Sequence, residues 1–190
     1  MKRFATNRRL CVVGLCRVVL FAGILSTTAF AQPTDFVRYG NEALNQRKYE
    51  IAIEYYNKAI LFQQKSPQAI FNRGLAYSRL GKDSLALADY GTYLELFPDN
   101  PTTYTARGVL HHKMGRKIQA VADLTRAIEL DSNRGTAWAV LGDAYLTLNM
   151  EDKALAAWKH SVERDPNGPY AEHVREQIER LSKSAQQHNK

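Results

Sequence analysis

Adjacent histidines and scattered acidic residues are the side chains of this chain whose types could support acid-base or metal chemistry. On a helix, His111 and His112 would point about 100° apart, so they cannot easily share one metal ion. Acidic residues such as Asp131 and Glu163 fall near predicted helix ends, and no two carboxylates are predicted to converge. The motifs GxGxxG, GxxxxGK[ST], HExxH and GxSxG do not occur. The sequence therefore predicts a protein that is not an enzyme, with no catalytic residues, no metal site and no cofactor.

A second charged pattern indicates a structural role. Arg73 stands sixteen residues before Asp89, and Arg107 stands sixteen residues before Asp123. In the stretches of sequence before and after these two pairs, the corresponding positions carry neither charge. Because the two charges are present or absent together, the spacing predicts an ion pair between two helices for each of the two pairs. Where such a pair is partly exposed, it stabilises the fold by about 0.2 to 1 kcal/mol. The equivalent flanking positions hold Tyr39 with Tyr55, and Leu141 with Ala157.

A repeat of 34 residues determines where these side chains lie. A period of this length predicts a solenoid, in which each unit buries its apolar face only against its neighbours. Small residues allow two helices to approach closely, and a bulky residue fills the space beside them. The columns are glycine at Gly40, Gly74, Gly108 and Gly142, alanine at Ala52, Ala86, Ala120 and Ala154, and a bulky residue at Tyr56, Tyr90, Leu124 and Trp158.

These columns resemble the tetratricopeptide repeat, whose pattern is clearest in 138–145 (WAVLGDAY), followed by Ala154, Trp158 and Pro166. The resemblance implies an all-α fold, a right-handed α-solenoid of four helical hairpins with a C-terminal capping helix. The predicted units are 33–66, 67–100, 101–134 and 135–168. Ser66-Pro67 and Asn100-Pro101 are predicted to begin first helices, as an N-cap followed by proline. Turns within hairpins are predicted at Arg47-Lys48, Gly81-Lys82, Gly115-Arg116 and Asn149-Met150.

An amphipathic segment follows the fourth unit, and 169–190 is predicted to be a capping helix with a tail. Tyr170, Val174, Ile178 and Leu181 form one apolar stripe at helical spacing. The stripe predicts a helix over about 170–182 that covers the end of the array. Residues 183–190 are predicted to fray.

The first 31 residues belong to a different kind of segment. Residues 1–9 are basic, 10–30 are largely apolar, and Ala29-Phe30-Ala31 ends the run. This order resembles a secretory signal peptide cleaved before Gln32. The alternative is an uncleaved signal anchor, because the apolar run is about long enough to cross a bilayer, although Arg17 interrupts it. Both interpretations predict export, to the periplasm in a bacterium, and after cleavage no membrane contact is expected.

The leader also accounts for most of the positive charge. The chain has a formal net charge of +7, of which the leader contributes five basic residues and no acid, so the remainder carries 7 − 5 = +2. Nucleic-acid binding usually requires a clustered basic stripe, and the small net charge outside the leader gives little reason to expect one. Both cysteines, Cys11 and Cys16, also lie in the leader, so the exported part has none for a disulfide or a nucleophile.

The family resemblance implies that a protein or peptide partner binds a concave surface formed by the first helix of each hairpin. Mixed apolar and polar side chains suit an extended segment or a helix of another protein. Asn41 and Asn72 are expected to bind its backbone, but Val37, Thr102 and Ala106 stand where a clamp for a terminal carboxylate would need basic residues. The predicted groove residues are Val37, Asn41, Leu44, Phe71, Asn72, Leu75, Arg79, Thr105, Val109, His112 and Asp143.

Three functions follow from these features. The first is an exported, non-catalytic scaffold for protein-protein contacts. The alternative is a cell-wall-associated enzyme accessory or glycan-binding protein, in which Trp138 and Trp158 would stack on sugars. A third is self-association through the first hairpin, where Phe36, Tyr39 and Tyr55 have no preceding helix to cover them.

Overall fold

Helices account for all the regular structure in the part of the chain that the computed structural model describes, residues 33–62 and 66–188. No strand occurs within those ranges, and no helix there is both long and apolar enough to cross a bilayer. The predicted leader, 1–31, lies outside them. The helices are α1 (Pro33–Asn45), α2 (Tyr49–Phe62), α3 (Pro67–Arg79), α4 (Asp83–Leu96), α5 (Pro101–Lys113), α6 (Lys117–Leu130), α7 (Gly135–Thr147), α8 (Glu151–Arg164) and α9 (Ala171–His188).

The first eight helices pair in chain order as four hairpins. The second helix of each hairpin then contacts the first helix of the next, so α2 packs on α3, α4 on α5, and α6 on α7. The first helices α1 and α3 also contact each other, as do α5 and α7. These contacts confirm the predicted all-α helical-repeat solenoid, in which each unit is stabilised by its neighbours.

Close approach of the two helices explains the glycine column. A Cβ atom at Gly40 would lie 2.5 Å from Cε1 of Tyr56, and one at Gly108 would lie 2.7 Å from Cγ of Leu124. Tyr56 and Leu124 are both fully buried, so neither side chain has space to move aside. A larger residue at either glycine would therefore separate the helices of that hairpin.

Each hairpin turns through one residue in the left-handed conformation, at the predicted places. Gly81 and Gly115 have φ values of 73° and 72°, and Asn149 has a φ of 59°. Arg47 adopts the same conformation in the first hairpin, with φ 58°, although its Cβ makes this region unfavourable. The backbone N–H of Lys48 donates to the carbonyl of Ala43 over 2.9 Å, which closes the end of α1.

The two predicted N-caps differ in the structure. The side chain of Asn100 accepts a hydrogen bond from the backbone N–H of Thr103 over 2.9 Å, as predicted. Ser66 stands at the N-cap position of α3, but its side chain makes no capping hydrogen bond, so that part of the prediction is wrong. There the backbone carbonyl of Ser66 alone joins the helix, by accepting from the N–H of Ile70.

Both predicted ion pairs are present. Nε and Nη2 of Arg73 donate to the two carboxylate oxygens of Asp89 over 2.8 and 2.6 Å. Arg107 binds Asp123 in the same two-point manner, at 2.7 Å for each bond. Nη1 of Arg73 also donates to Asn57 on α2 over 2.7 Å, so this guanidinium links two hairpins.

The capping helix α9 is longer than predicted, because it continues to His188. The expectation that 183–190 frays is therefore wrong for 183–188, while 189–190 lie outside the described residues. Lysine, alanine and glutamine in this segment favour helix, and Lys183 forms an ion pair with Glu179 over 2.5 Å. The predicted apolar stripe packs against Trp158, with Val174 fully buried.

Candidate functional site

The structure brings five of the predicted groove residues together on α1 and α3, which contact each other directly. Asn41 and Asn72 are hydrogen bonded, and Leu44, Leu75 and Arg79 line one pocket beside them. We call this set the α1–α3 site. These five residues lie on first helices, as the family resemblance implied, while Arg47 of the turn and Tyr49 of α2 also line the pocket.

An amide network forms the polar half of the α1–α3 site. Oδ1 of Asn41 accepts from Nδ2 of Asn72 and from the hydroxyl of Tyr56, each over 2.8 Å. Burial raises the pKa of Tyr56 to about 12, so its hydroxyl remains a donor at neutral pH. Nδ2 of Asn41 and Oδ1 of Asn72 form no hydrogen bond with a described residue. One donor and one acceptor are thus left for a ligand, the pair that a peptide backbone requires.

A pocket of about 360 Å³ forms the other half of the α1–α3 site. The half-buried Leu44 and Leu75 provide its apolar surface. Arg47 and Arg79 are exposed at the pocket, and neither forms an ion pair within the described ranges. The pocket therefore suits an apolar side chain with an acidic residue beside it.

Two predicted groove residues are buried instead. Val37 is 9% exposed and belongs to the core of the first hairpins. Thr105 is 8% exposed, and its hydroxyl donates to the carbonyl of Pro101 over 2.8 Å. Both occupy the fifth position of their units, where Ala139 of the fourth unit is also fully buried. These three residues therefore pack between helices and do not face solvent.

Phe71 and Val109 also pack against the protein itself. The ring of Phe71, in the same column as Val37, lies 5.7 Å from the ring of Tyr90 and 5.5 Å from that of Tyr93. Val109 packs on the core around α6 and α7. Neither residue is part of the α1–α3 site.

The two adjacent histidines have different surroundings. His111 is half-buried, with Nε2 3.7 Å from Oδ2 of Asp123, and burial lowers its pKa. His112 is also half-buried, and its Nδ1 has no hydrogen-bond partner among the described residues. Lys113, the next residue, is paired with Asp83 over 2.9 Å. The predicted groove residue His112 is therefore separate from the α1–α3 site, near the middle of the array.

Asp143 is covered by the capping helix. Its Oδ1 accepts from Nε1 of Trp158 over 3.0 Å and lies 3.1 Å from Nε2 of His173 on α9. The carboxylate that was predicted to face a partner is thus already bonded within the protein. The sequence contains a signal for this, because Pro169 lies 34 residues after Gly135 and continues the column of first-helix starts into α9.

The two tryptophans are not equivalent. Trp158 is fully buried, and its Nε1 bonds the carbonyl of Ala139 over 3.2 Å as well as Asp143. Trp138 is half-buried, and its ring centroid lies 4.7 Å from that of His160. Only Trp138 therefore has a surface on which a sugar could stack.

Aromatic side chains cover the first hairpin, where no helix of the described chain precedes α1. The rings of Phe36 and Phe62 are stacked at 5.5 Å, and those of Tyr39 and Tyr55 are also 5.5 Å apart. Phe62 is 64% exposed and Leu61 77% exposed. This end keeps an apolar surface, and self-association through it stays a prediction.

Family models described as tetratricopeptide repeats match almost the whole helical array. One covers residues 39–101, and a second covers 101–134 and again 135–167. The boundaries at 134 and 135 coincide with the predicted boundary between the third and fourth units. A comparison with curated proteins by sequence finds no match.

Solved structures of similar fold include three proteins of low sequence identity. MamA, residues 41 to the end, from Desulfovibrio magneticus RS-1 is 21% identical, with a TM-score of 0.71 over 82% of this chain and 90% of that one. PilF from Pseudomonas aeruginosa is 18% identical, with a TM-score of 0.72 over 82% and 69%. YrrB, described as a TPR protein with an unusual peptide-binding site, is 19% identical, with a TM-score of 0.67 over 76% and 74%. At these identities the likeness concerns the fold alone.

Proposed function

The chain belongs to the tetratricopeptide-repeat family, and from this premise we propose that it is an exported, non-catalytic scaffold that binds an extended segment of a partner protein at the α1–α3 site. The fold supports a role in protein-protein interaction. The observation that carries the finer proposal is the pairing of Asn41 with Asn72, which leaves one free amide donor and one free acceptor beside a pocket lined by leucine and arginine side chains.

An extended peptide uses these groups in a defined way. Its backbone N–H donates to Oδ1 of Asn72, and its backbone carbonyl accepts from Nδ2 of Asn41. Bonds of this kind depend little on peptide sequence, so specificity comes from the pocket. There Leu44 and Leu75 contact an apolar side chain, and the exposed Arg79 pairs with an acidic one.

Export rests on the leader alone. A basic start, an apolar run and the sequence Ala29-Phe30-Ala31 support transport out of the cytoplasm and cleavage before Gln32. Intact-mass measurement of the protein from the envelope fraction of its own organism tests this. We expect a chain that starts at Gln32, and a chain that retains residues 1–31 would favour the anchor instead.

Site-directed crosslinking tests the binding site. A photoreactive residue at Arg79, which is exposed, leaves the Asn41–Asn72 bond intact, whereas the same residue at Lys159 on α8 provides a matched control on a second helix. We expect position 79 to capture a partner in the native compartment and position 159 not to do so. A synthetic peptide covering the captured segment must then bind the purified protein.

The control and the binding measurement together decide the proposal. Equal capture from positions 79 and 159 would indicate contact without a defined site. Binding of the captured peptide with unchanged affinity after Leu75→Ala would contradict a role for the pocket, since Leu75 lines it.

A further inference from the structure

We propose that a second pocket, between α6, α7 and α8, binds a small aromatic monocarboxylate. The pocket has a volume of about 370 Å³. That volume is within the range of about 300 to 1,000 Å³ that is usual for small-molecule sites. The side chains that carry the argument are Trp138, Leu141, Tyr145, Lys153, Ala157 and His160, none of which belongs to the α1–α3 site.

The space in this pocket comes from a change in the repeat itself. Leu141 and Ala157 occupy the columns that hold Arg107 and Asp123 in the preceding hairpin. There the guanidinium and the carboxylate bridge the two helices at 2.7 Å. In the fourth hairpin, two shorter apolar side chains replace that bridge, and both line the pocket. In this hairpin a cavity replaces the ion pair.

Aromatic rings define the shape that the pocket can accept. The ring of Trp138 packs at 4.7 Å against His160, and Nε1 of Trp138 donates to the carbonyl of Ser132 over 2.9 Å. That hydrogen bond fixes the ring. Tyr145 and the small side chain of Ala157 also line the pocket. Flat rings next to an alanine favour a planar apolar group, because stacked or edge-on aromatic contacts are stabilising.

The charges around the pocket favour an anion. Glu129 lines the pocket, but it is paired with Nη1 of Arg126 over 3.1 Å. Lys153 lies with Nζ 5.7 Å from the centroid of the Tyr145 ring, and it forms no ion pair with any described residue. A carboxylate on the occupant would provide its partner. One unpaired lysine next to an aromatic cavity therefore suits a ring linked by a short chain to one carboxylate.

Calorimetric titration with 3-phenylpropionate and its amide tests the assignment. We expect saturable binding of the acid, with an affinity at least tenfold above that of the amide, because only the acid pairs with Lys153. Lys153→Gln should lower the affinity for the acid to that of the amide and leave amide binding unchanged. Lys159→Gln, which removes an exposed lysine of the same helix outside the pocket, should change neither affinity.

A second variant fills the cavity with the ion pair that the central hairpins contain. Leu141→Arg with Ala157→Asp installs the residues of the central hairpins in the same columns, and it should abolish binding of the acid. Ala157→Leu fills the pocket with an apolar side chain and gives the same result without new charges. Chemical shift changes of the Trp138 indole N–H then report whether the acid occupies the pocket in the unmodified protein.

Three results would overturn the inference. They are the absence of saturable binding up to the solubility limit of the acid, equal affinity for acid and amide, and undiminished binding to a folded cavity-filling variant. A fourth result would overturn it as well: a peptide with an internal phenylalanine that competes with the acid and binds more tightly would assign the pocket to a protein side chain. None of these results bears on the α1–α3 site, whose peptide binding is measured independently.

Discussion

Asn41 accepts a hydrogen bond from the hydroxyl of Tyr56 over 2.8 Å, across the two helices of the first hairpin. The fourth hairpin repeats this relationship in the same columns, where Asp143 accepts from Nε1 of Trp158 over 3.0 Å. In both hairpins, this oxygen also lies within hydrogen-bond distance of a side chain from the next first helix, Asn72 at Asn41 and His173 at Asp143. At Asp143 that helix is the capping helix, whereas the network at Asn41 stands beside an open pocket.

The network at Asn41 predicts different outcomes for two substitutions. Asn41→Ala removes the acceptor of a buried tyrosine hydroxyl, so we expect a loss of about 1 to 3 kcal/mol in the free energy of unfolding. Asn41→Asp keeps an acceptor, as Asp143 does in the fourth hairpin, and should unfold near the wild-type urea concentration. Urea denaturation measures both.

Peptide binding should distinguish Asn41→Asp from the wild type, although the two should unfold at similar urea concentrations. Asn41→Asp lacks the amide donor, so the peptide captured at position 79 should bind at least tenfold more weakly. Gln46→Ala, an exposed change directly after the same helix and outside the pocket, serves as the control and should be neutral in both measurements. Wild-type affinity in Asn41→Asp would exclude the amide nitrogen as a contact.

The ion pair of Arg73 with Asp89 should be structural. Arg73→Leu leaves a carboxylate that is only 8% exposed without its partner, and we expect a loss of about 1 to 3 kcal/mol in the free energy of unfolding. The double change Arg73→Leu with Asp89→Ala, which copies Leu141 and Ala157, should cost less than the single one. Thermal unfolding followed by circular dichroism checks the order. A large loss of peptide binding with no thermal shift would reject the structural role.

The turn at Arg47 should be improved by glycine. Arg47 is in the left-handed region that glycine occupies in the second and third hairpins. Arg47→Gly should therefore stabilise the protein by about 0.5 to 1 kcal/mol, because the steric cost of a Cβ in this conformation disappears. Arg47→Ala, which keeps the Cβ, is the control for loss of the guanidinium. Equal stability of the two variants would mean that the backbone conformation is not the cause.

The hairpins could be predicted because their determinants lie at fixed distances along the sequence. The spacing of Gly40 and Tyr56 predicts close packing of two helices, and the spacing of Arg73 and Asp89 predicts the ion pair between the helices of the second hairpin. Contacts between hairpins were harder to predict. The bond between Asn41 and Asn72 depends on the angle between successive units, which no spacing within one unit reveals.

Part of the candidate site was misjudged for a related reason. The predicted binding surface includes Val37 and Thr105, yet the structure buries both, because this position of the first helix packs against neighbouring helices. The predicted binding surface also includes Asp143, although the sequence predicts a helix that covers this end of the array. The proline column continues at Pro169, so α9 lies where a fifth first helix would, and it reaches the carboxylate through His173.

The half-buried His111 predicts a pH dependence of stability. Burial lowers its folded-state pKa below the ordinary value of 6.5, against an opposing effect of Asp123. The unfolded chain therefore binds the proton more readily, so the contribution of this residue is present above pH 6.5 and is lost as the pH falls below that value through the lower folded-state pKa. Urea unfolding of the wild type and of His111→Gln at several values between about pH 5 and 8 measures it. The wild type should lose more stability on acidification than the variant, and parallel curves would show that His111 has no part in the acid response.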